Sequence, residues 1–149
     1  MNQRSITEEA DKLSRRRARA LPFLGIVFLA QQASFLSIPE ASGRPVDHLK
    51  IGAWLVLTLV LLAGLATGGA WLRPRAVREL INDESTRAHR NTAYSYGFWA
   101  AMGTALGLYV VAMFEPVSGR DAVHIIVTIA VATALLNFGM LERRALRDG

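Results

Sequence analysis

The chain contains no cysteine. That excludes disulfides, thiolate metal sites and iron–sulfur clusters together. Lysine is nearly missing as well, with two residues against fifteen arginines. Histidine occurs three times, at His48, His89 and His124. A bis-histidine haem needs two histidines on facing helices, and only His124 lies within an apolar run, so no cofactor and no metal site is expected. Charge inside the apolar runs is what the chain lacks most clearly. Four stretches, 20–38, 51–72, 92–114 and 122–141, hold no Asp, Glu, Lys or Arg. Ionisable groups within spans mark proton relays and ion paths, so their absence argues against a proton-driven exporter.

What remains is strongly apolar for 149 residues, with 52% hydrophobic side chains gathered into those four blocks. A helix rising 1.5 Å per residue crosses a hydrocarbon core of about 30 Å in roughly 20 residues. The four runs have 19, 22, 23 and 20 residues. The expected fold is therefore an all-α membrane protein, residues 1–149 forming one domain of four transmembrane helices in an antiparallel bundle. A secretory signal peptide is the rival reading for the first run, but the apolar stretch continues past Ala30.

Arginine and lysine fix the expected orientation. The polar pieces carry, in order, six, two, five, one and three basic residues, so alternate pieces hold fourteen against three. The positive-inside rule then places both termini and the central segment in the cytoplasm, N-in and C-in. The excess of arginine, with abundant alanine, suggests a bacterial source, and the expected location is the inner (cytoplasmic) membrane.

Residues 1–19 are a polar, basic arm on the cytoplasmic side. Ser5 and Glu8 have capping-box spacing, which predicts a short helix starting there. Lys12, Arg15, Arg16, Arg17 and Arg19 then meet the headgroups of an anionic leaflet. Pro22 is expected in the first turn of the first span, where its missing N–H is tolerated. Gln31 and Gln32 interrupt that span and point about 100° apart, so at least one faces other helices. In the second span, Gly64 and Gly68 form a G-x-x-x-G pair, and Gly103 and Gly107 repeat it in the third. Small faces let backbones approach closely, which predicts either a tight hairpin of spans two and three or a homo-oligomer. The fourth span carries Asn137 near its far end.

The central segment, Arg73–Arg90, is the longest polar stretch between spans. Asn82 or Asp83 is placed to cap a helix, and Asp83 and Arg87 have favourable i, i+4 order. A metal or catalytic use of Asp83, Glu84 and His89 is disfavoured, because His89 falls about 140° around the helix from Glu84. Asn82-Asp-Glu-Ser-Thr-Arg-Ala-His-Arg90, followed by Ala93 and Tyr96-Gly-Phe-Trp99, resembles small bacterial membrane proteins in which an N-D-E-x-T type motif opens the helix after a hairpin of two spans. The resemblance covers about twenty residues of the 149. It implies four spans in a bacterial cytoplasmic membrane and carries over no catalytic residue.

The expected function is non-enzymatic: an accessory or interaction protein whose cytoplasmic face docks a protein partner or lipid through Arg78, Asp83, Glu84, Arg87 and Arg90. The bilayer is its solvent, and nucleic acid is not an expected partner. The alternative is a small oligomeric transporter or channel with a polar route past Gln31, Gln32 and Asn137.

Overall fold

The computed structural model describes residues 3–36, 45–68 and 84–148, with side chains placed for 12–32, 49–68 and 84–147. These residues form four α-helices and no strand: α1 (Gln3–Leu36), α2 (Pro45–Ala66), α3 (Glu84–Val111) and α4 (Gly119–Asp148). Two of them, α2 and α4, are long and apolar enough to cross a membrane. In α1 and α3 the apolar runs are diluted, by Gln31 and Gln32 in one and by tyrosines and glycines in the other.

α4 is the axis of the bundle. Among the described residues each of α1, α2 and α3 packs on it, and no two of those three make more than a marginal contact. The reason lies in the spacing of the buried residues. On α4 one buried stripe runs His124, Thr128, Val131, Leu135, Phe138 and Glu142, alternating steps of four and three, and Ala132, Ala134 and Gly139 widen it so that more than one helix packs there. Trp54, Thr58, Leu61 and Leu65 repeat the pattern on α2. Such steps keep one stripe on one side of a helix. Phe28, Phe138, Leu65 and Leu135 fill the centre and are almost fully enclosed.

Backbone approach to α4 is close at three glycines. A Cβ on Gly97 of α3 would sit 3.0 Å from the Ala130 carbonyl oxygen, and one on Gly25 of α1 would sit 3.3 Å from the Leu136 side chain. At Gly139 the added atom would fall 2.4 Å from the Pro22 ring. Among the described residues, α2 and α3 do not form the expected tight hairpin. A Cβ on Gly64, Gly103 or Gly107 would meet nothing within 4 Å.

The N-terminal arm also differs from expectation. α1 is one helix of 34 residues, so Ser5 lies inside it rather than capping a separate segment. Pro22 accordingly sits in the interior of α1, not in a first turn. The lost backbone hydrogen bond is offset by packing, since the Pro22 ring lies against the bare backbone of Gly139. α2 ends at Ala66 and turns on Gly68, whose φ of 64° suits glycine. α4 opens on Ser118 as its N-cap: the Asp121 amide donates to Ser118 Oγ at 3.1 Å, and the Ser118 hydroxyl donates to the Asp121 carboxylate at 2.7 Å.

Candidate functional site

The helices meet at one end around a buried ion pair. Arg17 of α1 and Glu142 of α4 are each about 7% exposed in their side chains and bond directly to one another. Arg17 also donates to the Gly68 carbonyl at 3.1 Å and to Thr86 Oγ1 of α3 at 3.2 Å. The Glu142 oxygen not facing Arg17 lies 3.0 Å from His89 Nδ1 and 3.5 Å from Thr86 Oγ1. One guanidinium and one carboxylate thus reach all four helices. The Arg17 guanidinium also lies 5.4 Å from the centre of the Phe138 ring, a cation–π contact that covers its face.

The same end fastens α2. Its last carbonyls are left without intrahelical partners. Arg90 of α3 donates to the Ala66 carbonyl at 2.8 Å, beside the Arg17 bond to Gly68. Two arginines from neighbouring helices therefore cap one helix end, where positive charge also suits the helix dipole.

Outside this cluster the end is strongly basic. Lys12, Arg15, Arg16, Arg19, Arg87, Arg143, Arg144 and Arg147 are all exposed. The acids with described side chains at this end are Glu84, exposed, and Glu142, already committed to Arg17 and His89. The described part of this surface is net positive and attracts negative charge; Glu8, Glu9, Asp11, Asp83 and Asp148 of the same sequence segments lie outside the described side chains.

A second polar layer joins α1, α2 and α4 further along the bundle. The Trp54 indole donates to Thr128 Oγ1 at 3.3 Å, and Thr128 donates onward to Gln32 Oε1 at 3.2 Å. The Trp54 ring stacks on His124, with centroids 4.1 Å apart and planes 24° from parallel. Between the two layers the described core is apolar, with Phe28, Leu61, Leu65, Val131, Leu135 and Phe138 buried.

Arg78 and Asp83 lie outside the described residues. Glu84 and Arg87 are exposed on the first turns of α3, whereas Arg90 turns to α2. Gln31 is exposed and Gln32 buried in the Thr128 bridge. Asn137 donates to the Thr133 carbonyl of its own helix at 3.0 Å. It stands nine residues from Thr128 on α4, roughly 13 Å along the axis, so Gln32 and Asn137 do not meet. Gly68 lies in the turn after α2 and offers its carbonyl to Arg17.

Sequence reasoning placed Arg17 among the lipid-facing basics, and Glu142 only in the C-terminal tail. The signal for both is periodic. Arg17, Leu21, Gly25, Phe28 and Gln32 run in steps of four, four, three and four, and Glu142 continues the α4 stripe by one more step. A charge in register with a buried stripe faces the bundle.

The chain matches no protein-family model, no curated protein and no solved structure.

Proposed function

We propose that this is a bacterial inner-membrane interaction protein, with four spans and both termini in the cytoplasm, that docks an acidic soluble protein on its basic end. The observation that carries the proposal is the contrast within that end. One arginine and one glutamate are used up holding the helices together, while eight basic side chains around them face outward. The two apolar helices α2 and α4 and the fourteen-to-three distribution of basic residues support the membrane placement. The N-D-E-x-T resemblance points the same way. A transporter or channel is the weaker reading, because the two polar layers are separated by a packed apolar core.

Within the docking face, Arg87 is exposed, whereas Arg90 also holds α2. Arg87 is thus the residue to reverse. A photo-crosslinker at position 88 in native membranes should trap a discrete acidic protein, and Arg87→Glu together with Arg143→Glu should abolish the adduct while expression is unchanged. An adduct that survives the double reversal contradicts the proposal.

A further inference from the structure

His89 is oriented by a residue far from it in sequence. Glu142 is the counterion of Arg17, so it stands as a carboxylate, and a carboxylate only accepts hydrogen bonds. The 3.0 Å contact between His89 Nδ1 and Glu142 Oε1 is therefore an Nδ1–H donating to that oxygen. In the neutral ring the lone pair then lies on Nε2. Nε2 has no hydrogen-bond partner among the described residues, and it is not one of the enclosed polar atoms left without one. The His89 side chain is 22% exposed, against 7% for Glu142. A buried carboxylate thus holds one nitrogen of the ring and leaves the nucleophilic one open.

The carboxylate also decides what that nitrogen can do. When Nε2 attacks an electrophile, positive charge develops on the ring and is shared by the Nδ1–H. A carboxylate on that proton orients the imidazole and stabilises the imidazolium as it forms. Glu142 is itself fixed, because Arg17 and Thr86 bond to it as well.

The surroundings select an electrophile that carries negative charge. Arg87 precedes His89 on α3 by two residues, and Arg143 and Arg144 follow Glu142 on α4; all three are exposed. Glu84, exposed at the start of α3, is the described acid at this end outside the ion-paired cluster. The net field draws in anions, and a phosphoryl group is an anionic electrophile. A phosphoramidate donor suits this acceptor, because its protonated nitrogen leaves as a neutral amine and needs no added acid.

We infer that His89 is a phosphoryl acceptor, modified on Nε2 by a donor of the phosphoramidate class. The Nε2 lone pair attacks phosphorus. The new N–P bond forms as the donor's P–N bond breaks, and the donor nitrogen departs with that electron pair. The Nδ1 proton stays on the ring, paired with Glu142, and nothing is oxidised or reduced. The inference rests on the His89–Glu142 geometry and on neither the membrane placement nor the docking partner.

The test treats the full-length protein in lipid nanodiscs with potassium phosphoramidate at neutral pH. Mass spectrometry of the chain and its peptides locates the adducts among the three histidines, and phosphorus NMR tells an Nε2 adduct from an Nδ1 adduct. The reference is the same chain unfolded in urea, where no carboxylate backs the ring. His89 should be phosphorylated on Nε2 about tenfold or more faster in the folded protein, the low end of what a carboxylate behind a functional histidine contributes. Glu142→Gln, which keeps the shape and removes the charge, should bring the rate down to the unfolded level. The comparison in the unmodified chain does not depend on whether that variant folds. An adduct on Nδ1, a folded rate no higher than the unfolded one, or a Glu142→Gln variant as reactive as the unmodified chain overturns the inference.

Discussion

At the scale of single residues, the Arg17–Glu142 pair decides most. Burying two charges has a desolvation cost that their attraction only partly recovers, so such a pair is expensive to break from one side. Glu142→Ala strands Arg17 between Thr86, Gly68 and the Phe138 ring. It should destabilise the protein by about 3–5 kcal/mol. Replacing both partners by methionine should recover most of that loss, because no orphaned charge remains. Thermal or denaturant unfolding in detergent measures both. A double variant no better than Glu142→Ala would show that the pair does more than neutralise itself. His89 and Thr86 share the Glu142 carboxylate, so the couplings among these residues will not add.

At the scale of helices, the glycines separate into two kinds. Gly139→Ala drives a methyl group into the Pro22 ring, which has no flexible end to move aside. Overpacking of this kind costs about 1–3 kcal/mol, and the unfolding midpoint should fall accordingly. Gly103→Ala and Gly107→Ala meet open space, and the better helix propensity of alanine should leave stability unchanged or raised by up to about 1 kcal/mol per site. Should either variant instead shift the oligomeric state in size-exclusion chromatography, the α3 stripe faces a second copy. The two kinds were not separable by motif. G-x-x-x-G spacing selected Gly64, Gly68, Gly103 and Gly107, yet Gly25, Gly97 and Gly139 make the close approaches between α4 and its neighbours. A glycine packs where its helix face meets another helix, and only the heptad-like stripe of buried residues carries that information. The helical character of the chain was legible because the apolar runs have the length of a bilayer crossing. The continuity of α1 was not, because Pro22 reads locally as a helix start, whereas its tolerance depends on Gly139, more than a hundred residues away.

For the whole molecule, the arrangement gives α4 the central place and leaves α2 with the smallest contact on it among the described residues. α2 is fixed at one end by Arg17 and Arg90 and at the other by the Trp54–Thr128 bond. Truncating Trp54 to alanine removes both that bond and the stack on His124, and should cost about 3–5 kcal/mol by the usual scale for buried aromatics. Hydrogen exchange should then show α2 opening before α1, α3 or α4. The polar cluster was only half legible in the sequence. Charge counting gathered the basic residues into alternate segments, but it treated them all as surface. A charge at the edge of an apolar run can turn inward when another helix supplies its counterion, and no window along the chain contains both Arg17 and Glu142.

The absence of cysteine makes the placement of the whole bundle directly measurable. Cysteines are introduced singly at Arg15, Arg144 and Glu115, all exposed, and intact cells stripped of outer membrane are treated with a membrane-impermeant maleimide. The account predicts labelling at position 115 from outside, and at positions 15 and 144 only after the membrane is opened. Labelling of position 15 or 144 in sealed cells, or protection of position 115, would contradict four spans with the ion-paired, basic end in the cytoplasm.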